Sequence, residues 1–356
     1  MNLDKLEKIF EPEKPFRLKQ TKQAIFRDLI ENWDEATTLP LVLREQLKKE
    51  VPLIIKAEIF KDKDGQSAKA LITLEDGLNV ETVLMRHTGR NTVCVSSQIG
   101  CPLGCTFCAT GQMGFIRNLT AGEIVAQVLF WARWLKLTSP QPSPSKGEGE
   151  IHPSSPLQRR EAERVANVVF MGMGEPFLNY DNVLAAIKIL NDDNLLGIGA
   201  RHISISTVGI VEGIERMAED MPQINLAISL HAPNDELRQK LMPINKKYPL
   251  TEIMTAAKDY VAKTNRKLMF EYIMIRGIND SQKQAKQLVD LLDNRLFFVN
   301  LIAYNRQGAS LEPSSPVQIK KFKDILMRAG VQTLERYRFG QDIKGACGQL
   351  AAQNRA

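Results

Sequence analysis

The sequence predicts an α/β protein whose parallel sheet is rolled into a partial barrel of six strand–helix units. From about residue 90 onward, short apolar segments alternate with amphipathic ones, and right-handed crossovers turn such an alternation into a parallel sheet. The apolar segments are typical of strands that are buried on both faces. The six strands are predicted at Thr92–Ser97, Val165–Met171, His202–Thr207, Ile224–Leu230, Leu268–Ile275 and Phe297–Ala303.

A helix is predicted after each strand. Thr120 and Glu123 have the spacing of a capping box, which predicts a helix that runs to about Lys136. Gly330 follows the last helix and is a typical end signal. The other five helices are predicted at Tyr180–Leu190, Ile210–Ala218, Thr251–Lys263, Ser281–Asp293 and Val317–Ala329.

The chain divides into three predicted regions. Residues 1–87 form a small accessory domain of helices followed by short strands, 88–330 form the core, and 331–356 form a C-terminal extension. Within the core, residues 138–164 are rich in Pro, Ser, Gly and charge and have no apolar period, so we predict a disordered insertion there. This insertion follows a helix, so it is expected on the barrel face opposite the active site.

The accessory domain is predicted from two patterns. Basic residues lie largely off the apolar face of its helices. They form either a solvated surface or a platform that binds RNA phosphates. Turn signals at Gly65 and Gly77 separate three strands. These strands are predicted at Leu53–Phe60, Ala68–Leu74 and Val80–Met85.

Composition sets broad limits on function. The 356 residues are 44% hydrophobic and 25% charged, typical of a globular protein, and no run of about 18 apolar residues appears. The first residues lack an apolar signal segment, so we expect a cytoplasmic protein without a membrane partner. A net charge of +6 is compatible with RNA as a partner.

Three cysteines are concentrated in one predicted loop. Cys101, Cys105 and Cys108 follow a β-rich stretch that ends at Gly100, so the loop lies at the carboxyl end of a strand, where α/β folds bind ligands. A four-iron cluster normally takes four Cys ligands, and three would leave one iron open. The alternative is a zinc site with a distant fourth ligand, although zinc sites favour paired Cys-x₂-Cys units and no second pair exists here.

Polar residues recur where the predicted strands end. They are Gly174 and Glu175, Ser206, Ser229, His231 and Asn305. Together they predict a polar rim on the face of the cysteine loop, suited to a zwitterionic nucleoside. Taken singly, Glu175 could cap the following helix and His231 could be a hydrogen-bonded core residue.

Two further residues are ambiguous from the sequence alone. Glu81 lies on a predicted strand, and an acid there is usually solvent-facing. Cys347 stands among glycines near the end of the chain, either incidentally or as a thiol that reaches into a site.

Several stretches together resemble the RlmN/Cfr family of radical S-adenosylmethionine (SAM) methyltransferases. The Cys-x₃-Cys-x₂-Cys spacing with Phe107 resembles the signature of the radical SAM superfamily, and the other stretches cover nearly the whole chain outside the insertion. They are Glu81-Thr-Val-Leu-Met, Cys94-Val-Ser-Ser-Gln-Ile-Gly-Cys101, Met171-Gly-Met-Gly-Glu-Pro176, Ser229-Leu-His-Ala-Pro-Asn234, Leu241-Met-Pro-Ile-Asn245 and Asp342-Ile-Lys-Gly-Ala-Cys-Gly-Gln-Leu350.

The resemblance implies a role for each motif. Cys101, Cys105 and Cys108 would ligate a 4Fe–4S cluster whose open iron binds SAM. Cys347 would carry a methyl group, Cys94 would be the thiol that later resolves the intermediate, and Glu81 would accept a proton. The SAM site would be lined by Gly174, Glu175, Ser206, Ser229, Leu230, His231 and Asn305.

The resemblance also implies a reaction, the methylation of adenosine carbon-2 in 23S rRNA and tRNA. One SAM would methylate Cys347, and a second SAM, cleaved reductively, would give a 5′-deoxyadenosyl radical that takes hydrogen from that methyl group. The resulting carbon radical would add to the adenine. After loss of a proton, Cys94 would attack Cys347 and free the product. A flavodoxin or ferredoxin would supply electrons to a monomeric enzyme.

Three other functions are also compatible with the sequence. Ser206-Thr-Val-Gly-Ile resembles the Cfr branch, which methylates carbon-8, whereas Gly174-Glu-Pro176 and Asn191-Asp-Asp-Asn194 resemble RlmN. The second alternative is a radical SAM enzyme that acts on a small molecule or a protein. The third is a non-catalytic iron–sulfur or zinc module that binds RNA.

Overall fold

The computed structural model describes residues 2–138, 164–307, 311–336 and 339–351. Apart from its two end residues, the predicted insertion at 138–164 lies outside the described residues. No helix within the described ranges is long and apolar enough to cross a membrane.

The N-terminal region contains three helices and three strands. The Asn2 side chain accepts a hydrogen bond from Lys5 N (2.9 Å) and caps the first helix, and Pro15 occupies the first position of the second. Positive φ angles at Gly65 and Gly77 allow the tight turns between the strands. The elements are α1 (Leu3–Phe10), α2 (Pro15–Phe26), α3 (Leu41–Glu50), β1 (Lys56–Lys61), β2 (Ser67–Thr73) and β3 (Asn79–His87).

The core contains the six predicted strand–helix units. Most of their boundaries lie within two residues of the predicted ones. In chain order the elements are β4 (Arg90–Cys94), β5 (Gln98–Gly100), α4 (Ala109–Gln112), β6 (Phe115–Asn118), α5 (Ala121–Thr138), β7 (Val165–Phe170), α6 (Tyr180–Asn191), β8 (Ile203–Thr207), α7 (Val211–Asp220), β9 (Asn225–Ser229), α8 (Asp235–Leu241), α9 (Leu250–Thr264), β10 (Leu268–Met274), α10 (Gln282–Leu291), β11 (Phe297–Ala303), α11 (Pro316–Arg328) and β12 (Gln332–Glu335).

One ten-stranded sheet connects the two regions, in the order β1-β2-β3-β4-β7-β8-β9-β10-β11-β12. Pairs from β1 to β4 are antiparallel, and pairs from β4 to β12 are parallel. In the β3–β4 pair, Val83 lies opposite Cys94. The sheet is therefore continuous across residues 87 and 88, and the division of the chain at that point stays a prediction.

The strand β12 was not predicted. It places a seventh parallel strand at the edge of the barrel sheet, next to β11. Thr333 is its one buried side chain, so the segment lacks the apolar run by which a strand is detected. The next described residue, Arg336, continues along β11 with a hydrogen bond from its N–H to Leu301 O (2.9 Å).

Buried polar side chains hold the carboxyl end of β4 in place. Gln127 of α5 is fully buried, and its side chain accepts from Ser96 N (2.8 Å) and donates to Ser96 O (2.9 Å). Ser96 Oγ in turn donates to Glu81 O (2.6 Å). Because buried backbone groups need partners, this network fixes the residues between β4 and the cysteine loop.

Candidate active site

The cysteine loop follows β5 and is held from three sides. Cys101 N donates to Gly114 O (2.9 Å), Thr106 N to Leu241 O (3.0 Å) and Ala109 N to Gly348 O (2.8 Å). Gly100 has φ +74°, and a Cβ on it would lie 1.9 Å from Gly114 O, so a side chain has no room there. The loop is thus clamped between β6, α8 and the C-terminal segment.

The three thiols of this loop fit an iron–sulfur cluster. All of them are free, and burial, with repulsion between the neighbouring thiols, raises the pKa of Cys101 to about 12 and that of Cys105 still further. Thiolates there need cationic partners, which iron would provide. Within the described ranges, no group of three or more His, Cys, Asp and Glu side chains is arranged around a single metal-ion position. In a cluster, each cysteine binds a different iron.

Gly174 and Glu175 lie where β7 ends, next to Gln98 of β5. Glu175 is 2% exposed, and its backbone N–H donates to Gln98 Oε1 (2.8 Å). Its carboxylate accepts from Phe177 N (3.1 Å) and Val208 N (2.9 Å), so it does cap the following turn. Burial raises the pKa of Glu175 to about 7, which places its charge change near neutral pH.

Ser206 and Ser229 face the same cavity from β8 and β9. Their hydroxyl oxygens are 3.4 Å apart, and Ser206 Oγ donates to Glu271 Oε2 (2.7 Å). Glu271 O accepts from Leu230 N (3.0 Å) and His231 N (3.2 Å). A single residue of β10 thereby positions both strand ends.

His231 is a buried, hydrogen-bonded histidine in contact with the cysteine loop. Its Nδ1 accepts from Ile273 N (3.1 Å), which leaves a proton on Nε2. Burial lowers the pKa of His231 to about 3, and the charge of Arg238 acts in the same direction. The neutral ring packs edge-on against Phe107, with centroids 4.9 Å apart.

The C-terminal segment lies over these residues. Asn305 Nδ2 donates to Cys347 O (3.2 Å), and Thr110 Oγ1 donates to Leu350 O (2.6 Å). Ala351 N donates to Glu81 Oε2 (2.8 Å). The segment therefore connects β11, the cysteine loop and β3.

Two adjoining cavities share Cys347. The larger, about 140 Å³, is also lined by Cys108, Glu175, Ser206 and His231. The smaller, about 40 Å³, lies between Cys347 and Cys94. A cavity of about 600 Å³ between the N-terminal helices, α5 and α6 is larger than both, but none of the predicted site residues lines it.

Glu81 is not solvent-facing, so that expectation from the sequence was wrong. The residue is 5% exposed, and its Oε1 lies 2.8 Å from Lys69 Nζ. The neighbouring strand β2 supplies this lysine, which is itself 9% exposed. A buried acid in a strand is retained when an ion pair and hydrogen bonds compensate it, and both are present.

Three charged residues of the site were missed by sequence reasoning. They are Lys69, Glu271 and Arg336. Arg336 Nη1 lies 3.1 Å from Glu271 Oε1, and its side chain lines both cavities. Glu271 had a visible signal, since it is the one charged residue in the apolar run Leu268–Met274; Arg336 and Lys69 had none.

Arg336 acts electrostatically on both thiols. Burial raises the pKa of Cys94 to about 12, and the Arg336 charge opposes this rise. Burial likewise raises the pKa of Cys347, and Arg336 again opposes it. The guanidinium therefore favours thiolate formation at both cysteines.

Known proteins similar to this chain identify its family. A relative from Chloroflexus aurantiacus, named probable dual-specificity RNA methyltransferase RlmN, is 42% identical over 99% of this chain and 92% of its own length. This chain belongs to the RlmN family. A second RlmN-named relative, from Dictyoglomus thermophilum, is 41% identical over 96% of this chain and 91% of its own length.

The RlmN assignment agrees with two further comparisons. The crystal structure of a radical SAM methyltransferase from Sphaerobacter thermophilus is 40% identical and superimposes with a TM-score of 0.88, covering 99% of this chain and 98% of that one. The family model for the Radical SAM superfamily matches residues 157–289. The protein is thus a radical SAM RNA methyltransferase of the RlmN type, and membership of the superfamily implies a 4Fe–4S cluster and SAM.

Proposed function

We propose that this enzyme methylates carbon-2 of a specific adenosine in 23S rRNA and in tRNA, through a methyl group carried by Cys347 and a covalent protein–RNA intermediate. The observation that carries the proposal is the position of Cys347, which lines both the polar cavity beside the cysteine loop and the cavity of Cys94. A methyl carrier must reach a SAM site on one side and a resolving thiol on the other.

The cofactor site is assigned to the loop and to the polar rim. Cys101, Cys105 and Cys108 hold the 4Fe–4S cluster. SAM, two molecules per turnover, is contacted by Gly174, Glu175, Ser206, Ser229, Leu230, His231 and Asn305. When bound, the cluster and SAM supply the 5′-deoxyadenosyl radical.

The carboxylate of Glu175 is suited to the amino group of SAM. It is held in a fixed orientation by Phe177 N and Val208 N, and the residue is 2% exposed. His231 stays neutral at every physiological pH, so its Nε2–H can donate to SAM without adding charge.

Cys347 receives the methyl group as a thiolate. Arg336 favours this form of the sulfur against the effect of burial, and Asn305 holds the Cys347 carbonyl oxygen. Asn305 thereby holds the Cys347 backbone where the residue lines both cavities.

Cys94 releases the product. Its thiolate attacks the Cys347 sulfur, an S–S bond forms, and the bond between that sulfur and the methylene carbon breaks. The electron pair of the broken bond goes to the methylene carbon, which takes a proton and becomes the methyl group on the base. A thiol reductant then reduces the disulfide.

Glu81 accepts the proton that the adenine carbon loses after the methylene radical has added to it. The adduct must lose one electron together with that proton, and that electron would return to the 4Fe–4S cluster, which was oxidised when SAM was cleaved. Lys69 compensates its charge (2.8 Å), and Ala351 N holds the other carboxylate oxygen. Glu81 lines neither cavity of Cys347. It is placed near them by Ala351 N, in the segment that carries Cys347, and by the pairing of its strand β3 with β4, the strand of Cys94.

The competing function is methylation of carbon-8. The Ser206-Thr-Val-Gly-Ile stretch favours it, and the same catalytic residues would serve. The RlmN-type stretch Gly174-Glu-Pro176 and the relatives named RlmN favour carbon-2. The proposal also includes a flavodoxin or ferredoxin as the electron donor and a monomeric enzyme in the cytoplasm.

Mass spectrometry of RNA tests the proposal. Cells that lack their own enzyme of this family are compared with and without this protein, and with its Cys347→Ala variant. We expect 2-methyladenosine only with the unaltered protein. The appearance of 8-methyladenosine would move it to the carbon-8 function. If both products are absent although the protein still cleaves SAM, the proposed substrate is wrong.

A further inference from the structure

Arg238 is a fully buried arginine in α8, directly below the cysteine loop. Its exposure is 0%, and Leu241, three residues later on the same helix, accepts a hydrogen bond from Thr106 N (3.0 Å). Thr106 is the residue next to Cys105. Leu241 and Cys105 also belong to one buried apolar cluster. The helix that carries Arg238 and the cysteine loop are therefore joined by a hydrogen bond and by a shared apolar cluster.

Every hydrogen-bond partner of this guanidinium is electrically neutral. Four are backbone carbonyl oxygens and the fifth is a side-chain amide. Nε donates to Leu230 O (3.2 Å), Nη1 to Asn245 Oδ1 (2.8 Å) and Tyr248 O (3.3 Å), and Nη2 to Ser229 O (3.2 Å) and Val208 O. Among the described residues, no carboxylate lies within ion-pair distance of it.

The charge of Arg238 thus has no counter-ion in direct contact. Burial lowers its pKa to about 10, so it is still protonated at neutral pH. Charges on Cys105 and on Asp235, which reaches Arg238 only through Asn245, act in the opposite direction. An unpaired buried charge is strongly unfavourable. Such a group is retained where a nearby anion appears in the functional state, and three thiolates around an iron–sulfur cluster would be that anion.

We propose that Arg238 supplies the countercharge to the iron–sulfur centre held by Cys101, Cys105 and Cys108 and raises its reduction potential. This inference rests on the proposed ligand role of these cysteines. Reduction adds one negative charge to the centre, and a fixed positive charge nearby stabilises the reduced state more than the oxidised one. In a poorly screened interior this interaction is large.

The test is a redox titration of the reconstituted holoprotein, followed by the EPR signal of the reduced cluster. For Arg238→Gln we expect reduction to become about tenfold less favourable, a negative shift of about 59 mV for one electron. Arg238→Lys keeps the charge and is expected to stay near the wild-type potential. Lys240→Gln removes an exposed positive charge from the same helix, 67% exposed, and should have no effect.

An exchange of two side chains gives an independent test if Arg238→Gln fails to fold or to hold the cluster. Asn245 Nδ2 donates to Asp235 Oδ1 (2.9 Å). In the Asp235→Asn, Asn245→Asp double variant this hydrogen bond is retained in reverse, the net charge is unchanged, and a carboxylate now contacts Arg238. We expect the reduction potential of the cluster to become more negative, as in Arg238→Gln.

The outcomes separate this inference from the proposed function. An unchanged reduction potential in both Arg238→Gln and the exchange variant would overturn the inference. Equal shifts of the potential in Arg238→Gln and Arg238→Lys would also overturn it, because the cause would then be the lost hydrogen bonds and not the charge. If the unaltered protein forms no cluster, or Cys105→Ala keeps it intact, the ligand assignment itself is wrong.

Discussion

A methyl group added at Gly174 should damage both the fold and the proposed SAM site. Gly174 has φ +96°, and a Cβ on it would lie 2.5 Å from Gln98 Cβ and 2.8 Å from Gln98 N. The left-handed backbone adds about 1–2 kcal/mol for a residue with a Cβ. Forcing a side chain into a packed site adds about 1–3 kcal/mol. We therefore expect Gly174→Ala to lower the free energy of unfolding by about 3 kcal/mol.

The matched control for this variant is Gly77→Ala. Gly77 has a similar φ of +82°, but no heavy atom lies within 4 Å of its added Cβ. It should therefore lose only the backbone contribution, about 1–2 kcal/mol. The difference between the two variants isolates the contact with Gln98.

Urea unfolding and SAM binding measure the two consequences. Because Glu175 N donates to Gln98 Oε1 (2.8 Å), displacement of Gln98 moves Glu175, so Gly174→Ala should also weaken SAM binding, whereas Gly77→Ala should not. Equal losses of stability in the two variants, or wild-type SAM affinity in Gly174→Ala, would refute the reasoning.

Three further predictions concern a proposed catalytic thiol, a proposed SAM-binding carboxylate and the ion pair of Glu81. Cys94→Ala should leave RNA covalently attached to Cys347, visible as a shifted band on a denaturing gel; a variant that runs free of RNA after turnover counts against the assignment. Because the pKa of Glu175 in the ligand-free protein is about 7 and SAM requires the carboxylate, SAM affinity should be about tenfold weaker at pH 6 than at pH 8. Glu175→Gln should flatten this profile, and an unaltered profile would exclude Glu175 as its origin. Lys69→Met should lower the free energy of unfolding by about 3 kcal/mol, because it leaves the Glu81 carboxylate buried and unpaired. The double variant with Glu81→Gln should recover part of this loss, and additive losses would contradict the pairing.

The elements that could be predicted are those with a local signal. The six strand–helix units follow from apolar runs and cap residues, which are properties of short stretches. β12 was missed because a four-residue edge strand with one buried side chain, Thr333, has no such signal. The solvent-facing expectation for Glu81 was wrong because its partner Lys69 lies on another strand, and the pairing register decides that contact.

The residues of the candidate site also fall into those that have a local sequence signal and those that only the fold brings together. Cys101, Cys105 and Cys108 are close together by covalent spacing alone, so the sequence could indicate a metal centre. Arg336 could not be assigned in this way, because its contact with Glu271 and its position beside the thiols arise only where the end of the chain returns to the barrel.

The sequence by itself determined the six strand–helix units, the loop of three thiols and the polar residues at the strand ends. These depend on periodicity and on spacing along the chain, which any local stretch carries. Only the tertiary structure decided that Cys347 lies between Cys94 and the polar cavity, and that Arg238 is buried without an ion-pair partner. Both depend on the packing of distant segments, where burial removes the solvent that would otherwise screen their charges.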